Sequence, residues 1–206
     1  MARPNPLYAL SVDWETSGFT GTDYGGSYAA KHQGIAIGAA VVRLSDLEIV
    51  DTLYYEIKFD ETKYVWDDYA EKIHGLSREH LAQNGVDPET VATALGNLIV
   101  KYWASLDNPV SWIGHNKNFD IDFTRQLMEP FGIMFPIDNR QCDTAAVAFS
   151  VFGVWSSNEL YDKVGLPPRE AHNALEDCIY SVEVLKRIRT IFDYALESVS
   201  TQSDES

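Results

Sequence analysis

Four acidic residues and one histidine, drawn from three widely separated segments, are the residues of this chain best suited to chemistry. Asp13 and Glu15 stand in LSVDWETSGF, Asp120 in GHNKNFDIDF, and His172 with Asp177 in EAHNALEDC. Carboxylates supplied in this way can build a magnesium cage of the two-metal kind, the arrangement that cuts phosphodiester bonds. Imidazole titrates near neutrality, so a histidine beside such a cage can take a proton from metal-bound water.

Local periodicity says how each group is presented. In a strand, side chains two apart share a face, roughly 6.5–7 Å from one another along the chain. Leu7, Ala9, Ser11, Asp13 and Glu15 therefore line one side, and Tyr8, Leu10, Val12 and Trp14 the other. Two carboxylates emerge together at the carboxyl end of an apolar strand, where open α/β sheets bind ligands. A solvated strand end with ordinary surface acids is the competing reading of that pair. Asp120 falls in the first turn of a helix after WIGHN, with Asn116 as N-cap. Asp122 lies about 200° round the same helix and should point elsewhere. His172 stands before a helix capped by Asn173, with Glu176 completing a capping box and Asp177 about a turn inside.

The elements that must position these groups alternate along the chain. Leu7–Asp13 reads as a strand, and residues 20–33, rich in Gly, Tyr and Ser, as a loop. IAIGAAVVRL and LEIVDTLYYEIKF read as two strands forming a hairpin about Ser45 and Asp46. Short helical turns follow around YAEKIHGLSREHLAQNG. A firmer helix starts with Asp87 as N-cap and Pro88 in its first turn, and Val91, Leu95, Leu98, Ile99 and Tyr102 share one face. PVSWIGHN is a short buried strand, leading into a helix striped by Phe119, Phe123 and Leu127. Asn139–Asp143 reads as a brief strand, followed by helices over TAAVAFSVF and near Asn158–Val164. A last helix is expected from about Asn173 to about Leu196, beyond which residues 197–206 read as a flexible acidic tail. Strands that come first and then alternate with helices indicate a mixed sheet covered by helices.

Composition sets the bounds. The 206 residues suit one domain, here residues 1–196, and 45% hydrophobic with 12% aromatic content belongs to a soluble globule. No apolar stretch is long enough to span a membrane, and MARPNPLYAL lacks the apolar core of a secretory signal. Cys142 and Cys178 could form one bridge or stay reduced, and two thiols in a domain of this size point to the reduced state and a cytoplasmic location. A net charge of −15 argues against tight binding of long nucleic acid, which a basic footprint usually serves. Part of that acidity can be a metal site, whose bound ions invert the local field. Short, locally held substrates, or a partner that supplies grip, fit this balance.

Order, spacing and local context together resemble the DnaQ-like 3′→5′ exonucleases, the DEDDh branch of the DEDD superfamily. VDWETSGF is similar to the family's D-x-E-T-T/S-G, GHNKNFDIDF to its H-N-x-x-F-D, and HNALEDC to its H-x-A-x-x-D. KIHGL, QCDT and LYDKVGLPP add support, and the resemblance spans Leu7 to Ile188. It implies an RNase H-like fold, a mixed five-stranded sheet flanked by helices. It also implies two ions, Mg²⁺ or Mn²⁺, held by Asp13, Glu15, Asp120 and Asp177. His172 would be general base, and nucleoside 5′-monophosphates would leave the 3′ ends of single-stranded or frayed DNA or RNA. Thr16, Ser17, Gly18 and Phe19 would meet the terminal nucleotide, with Phe19 within stacking reach, while His115 and Asn116 shape the pocket.

His74 would line the same cleft or simply be a satisfied loop histidine, and Asp143 would orient neighbours. Trp14 is bulky for its place between the acids. The 20–33 loop is longer than the family's compact turn, and Tyr24 and Tyr28 in it either stack on bases or belong to a plain surface loop. An oligoribonuclease-like enzyme, a non-catalytic binding module of the same fold, and a subunit docking on a polymerase are the alternatives.

Overall fold

The computed structural model describes residues 5–19, 27–168 and 172–203. Five strands form one sheet: β1 (Tyr8–Thr16), β2 (Gly34–Arg43), β3 (Glu48–Glu56), β4 (Val110–Gly114) and β5 (Ile137–Asp143), in the order β3-β2-β1-β4-β5. β1 pairs antiparallel with β2 and parallel with β4, so the strand carrying the first acidic pair is the central one. β2 and β3 form the expected hairpin, and β5 adds parallel to β4. The helices are α1 (Asp68–His74), α2 (Arg78–Asn84), α3 (Pro88–Trp103), α4 (Asn118–Met128), α5 (Thr144–Phe152), α6 (Ser157–Lys163) and α7 (Ala174–Ser203).

The two-residue period of β1 sorts its side chains onto two cores. Leu10, Val12 and Trp14 pack with Val91, Leu95 and Ile99 of α3 and with Ile121 and Phe123 of α4. Ala9 faces the other way and packs with Ile113 and with Val182 of α7. A third cluster joins Ala148, Leu160 and Tyr161 of α5 and α6 to Val184 and Ile188 of α7. Cys142 and Cys178 are free thiols, and burial pushes both pKa values up.

Four local expectations change. β1 runs to Thr16 rather than ending at Asp13, so both acids sit inside the ladder, beside an irregularity between Glu15 and Thr16. Asn116 does not cap α4: it takes a left-handed conformation (φ 58°), and Lys117 occupies the cap position. Gly114 ends β4 and α4 starts at Asn118, and so short a turn requires a left-handed residue, which asparagine tolerates better than most. Asp87 holds its cap position without a side-chain bond to the helix, its carboxylate instead lying 3.2 Å from Lys58 Nζ. Finally, α7 continues to Ser203 rather than stopping near Leu196. Nothing after Ala174 breaks it, since no Gly or Pro follows, and adding residues to an existing helix is easy compared with starting one.

Candidate active site

Three segments converge at the carboxyl end of β1 on a cleft of about 540 Å³. Asp13, Glu15, Thr16, His172 and Asp177 line it, together with Phe19, His115 and Asn116. One ligand atom each from Glu15, His172 and Asp177 lie within 4.8 Å of one another. His172 Nδ1 stands 3.6 Å from Asp177 Oδ2, with the histidine side chain 41% exposed and the aspartate nearly buried. Oxygen ligands flanked by one imidazole suit a hard divalent cation.

Asp120 is set back. Only 2% exposed, it lies against Gly114, where an added Cβ would stand 3.4 Å from Asp120 Oδ2. Burial raises its pKa well above the ordinary carboxylate value, and the nearby charges of Asp143 and Glu15 push the same way, while the Trp14 main-chain N–H opposes them. A buried carboxylate beside two others is held as an anion most effectively by a cation. This donor set therefore fits the divalent ions that the motifs imply, with Asp120 behind the wall and the other three acids at it. Asp122 points elsewhere as expected, accepting from Ser27 Oγ at 3.4 Å.

The sheet and α7 are brought together by a glycine. Asp13 pairs with Gly38 of β2. A Cβ there would come within 2.2 Å of the Ala174 carbonyl carbon and oxygen and 2.3 Å of Leu175 N. Only a residue without a side chain lets the first turn of α7 lie this close to the strand. Asn173 Oδ1 caps that turn, accepting from the N–H groups of Leu175 (3.0 Å) and Glu176 (3.2 Å). Further along, Ser11 Oγ donates to the Cys178 carbonyl at 3.0 Å. On the opposite face, Trp14 Nε1 donates to Thr124 Oγ1 at 3.0 Å, which in turn donates to the Asp120 carbonyl at 2.7 Å. The bulk of Trp14 thus serves to fix α4, the helix that carries Asp120.

The residues after Glu15 divide into two kinds. Thr16 and Phe19 face the cleft. Ser17 is fully buried, its hydroxyl donating to the Val65 carbonyl (2.7 Å) and accepting from Gln33 N–H (3.0 Å). Gly18 is pressed on the His32 ring, which an added Cβ would approach to 2.4 Å. Both therefore stitch the end of β1 to residues 65–67; Asp67 N–H completes the stitch by donating to the Ser17 carbonyl at 2.7 Å. This seam sets α1 on the cleft, where Ala70, Ile73 and His74 line it. His74 Nδ1 accepts from Leu76 N–H at 3.0 Å, and burial lowers its pKa to about 4, so the ring is neutral.

On the other wall, His115 places Nδ1 3.0 Å from Thr144 Oγ1 and Nε2 3.0 Å from the Trp155 carbonyl. Asp143 accepts from the N–H groups of Asn116 and Ala145, both at 3.0 Å, and so orients its neighbours. Three further residues line the cleft: Phe119 and Tyr161, which stand inside the GHNKNFDIDF and LYDKVGLPP matches, and Ser157, which carries no motif signature. Gln126 of α4 donates to the carbonyls of Ala29 and His32. Of the two tyrosines of the 20–33 loop, Tyr24 lies outside the described residues, and Tyr28 enters a short 3₁₀ turn, Tyr28–Ala30.

A mixed sheet in this order, flanked by helices, with acids at the end of its central strand and a histidine just before α7, is the RNase H-like fold. Residues 10–185 match the RNase_T exonuclease family, and the chain belongs to it, in keeping with the resemblance of its motifs to the DnaQ-like exonucleases. No curated protein sequence matches. Among solved structures, E. coli exonuclease I in complex with a dT13 oligonucleotide is 18% identical, with TM-score 0.68 over 91% of this chain and 43% of that one. The zinc-bound form of the E. coli exonuclease I complex with single-stranded DNA is 19% identical, with TM-score 0.67 over 94% and 43% of the two chains. A full-length 3′-exonuclease is 13% identical, with TM-score 0.63 over 92% and 62%. At such identities the likeness concerns the fold, and this chain spans less than half the length of exonuclease I. Among the described residues, no helix is long and apolar enough to cross a membrane.

Proposed function

We propose that this chain is a divalent-metal-dependent 3′→5′ exonuclease that releases nucleoside 5′-monophosphates from single-stranded or frayed ends. The observation that carries this reading is the meeting of Glu15, His172 and Asp177 ligand atoms within 4.8 Å at a cleft that Asp13 also lines. Asp13, Glu15, Asp120 and Asp177 would hold two ions, Mg²⁺ or Mn²⁺ by the hardness of their oxygens. Bound there, such ions would supply positive charge beside the scissile phosphate and make water a better nucleophile. His172, at the exposed mouth of the cleft, takes the proton of the attacking water, and Asp177 stabilises the imidazolium that results. Phe19 and Phe119 offer ring faces to the terminal base and Asn116 a polar group, while Thr16 and His115, already bonded within the protein, shape the pocket, and neutral His74 adds no charge on the α1 side.

The test uses 5′-labelled single-stranded DNA and RNA oligonucleotides with the purified protein and magnesium or manganese. A ladder that shortens from the 3′ end, and disappears with chelator or with Asp13→Asn, is the expected result. Absence of shortening with both metals and both nucleic acids would overturn the reading in favour of a binding module.

A further inference from the structure

Phe149 and Trp155 form a stacked aromatic pair at the surface, with ring centroids 4.4 Å apart and planes 16° from parallel. Phe149 is 50% exposed and Trp155 62%, so both leave ring surface in water. Phe149 belongs to α5 and Trp155 to the link into α6, so the pair is held by two helices that close on a shared core with α7. The pair adjoins the cleft through the main chain: the Trp155 carbonyl accepts from His115 Nε2, and Ser157, two residues on, lines the cleft. A chain with 31 acidic residues carries no charged side chain from Thr144 to Asn158.

We propose that the Phe149–Trp155 pair is a stacking platform for a base of single-stranded nucleic acid lying 5′ of the terminal nucleotide. The proposal rests on the exonuclease reading of the cleft and adds to it a preference for single strands several nucleotides long over the shortest substrates. With a net charge of −15 the protein has little to gain from displacing counterions along a phosphate backbone. Stacking needs no positive charge and no particular base, because every base presents a π-face. The segment that carries the rings adds no charge of its own, and the nearest carboxylate in sequence, Glu159, is engaged by Ser156 Oγ at 2.8 Å. Paired bases present only their edges, so the platform selects unpaired strands. A protein partner could also cover two exposed rings, but the continuity with His115 and the cleft favours the strand that emerges from it.

The experiment compares wild type, Trp155→Ala, Phe149→Ala and Trp155→Phe on a dinucleotide and a decanucleotide. It measures kcat/KM with magnesium, and binding of the labelled decanucleotide in chelator. Trp155→Ala is expected to weaken decanucleotide binding and kcat/KM about tenfold, the scale of one aromatic–base stack. Phe149→Ala should have a smaller effect in the same direction. The dinucleotide should be cleaved at the wild-type rate, and Trp155→Phe should recover most of the loss. An unchanged decanucleotide, or an equal loss on both lengths, overturns the platform. Cleavage by wild type is scored separately, so a protein that cleaves without this length dependence refutes the platform alone. One that binds through the rings but does not cleave refutes the catalytic reading alone.

Discussion

The acids of β1 and the groups at the mouth of α7 reach the same cleft by different means. β1 is the central strand, laddered on one side to β2 along its whole length and on the other to β4. Asp13 and Glu15 therefore inherit their positions from many backbone hydrogen bonds, any one of which could be lost without moving them far. His172 and Asp177 depend on where one helix begins, and that start is held by a close approach over Gly38, a buried bond from Ser11 to Cys178, and the packing of Val182 on Ala9 and Ile113. A site assembled this way should tolerate damage to the sheet better than damage to the helix docking.

The largest effect should come from the acids themselves. Asp13→Asn and Asp177→Asn should each lower kcat by about 10³-fold or more while leaving circular dichroism and melting unchanged. His172→Ala should also cut the rate strongly yet leave metal binding by calorimetry nearly intact. Wild-type rates in all three variants would remove the site from this cleft.

Gly38→Ala separates the two modes of positioning. The new methyl meets backbone of α7 rather than a flexible side chain, so the helix start must shift. A cost of about 2–3 kcal/mol is expected for such overpacking, seen as a melting point lower by roughly 5–10 °C. Displacing His172 and Asp177 by about 1 Å should further lower kcat by about 10²-fold. An Ala substitution that melts normally and cleaves normally would show that the α7 docking is looser than the geometry says. Ser11→Ala should do less: about 1 kcal/mol from the lost buried hydrogen bond, and a rate within about threefold of wild type.

What was legible in the sequence follows the same division. The alternation of β1, the β2–β3 hairpin, and the helix starts at Pro88 and after Asn173 depend on near neighbours, and periodicity with capping chemistry revealed them. The acids and His172 were visible because their side-chain chemistry is distinctive and their spacing fits a known pattern. The resemblance implies that Ser17 and Gly18 meet the terminal nucleotide, whereas the structure turns both into the protein. Their partners, Val65, Gln33 and His32, are remote in sequence, and only the fold reveals them. Gly38 did leave a signal, since a glycine inside the apolar run IAIGAAVV marks either a bulge or a close backbone approach. Nothing local distinguishes those two, nor marks Ser157 as part of the cleft lining.

The smallest effect concerns the histidine on the strand-held side. His74 is buried on α1, with its pKa lowered from 6.5 to about 4 chiefly by desolvation, whereas His172 stands half in solvent across the cleft. Between those two values the unfolded chain binds a proton at His74 that the folded chain does not. Stability from this group is therefore fully present above pH 6.5 and is lost as the pH falls through that window toward 4. Allowing for partial solvation, the loss is on the order of 1 kcal/mol. Carboxylates titrate over part of the same range, so the informative quantity is a double difference. In His74→Asn, Oδ1 can still accept from Leu76 N–H but nothing there titrates. Denaturant unfolding at pH 7 and pH 5 should show a smaller acid-induced loss in the variant than in wild type. Equal losses would mean that His74 is solvated enough to titrate normally, and that the inner wall of the cleft is as wet as its mouth.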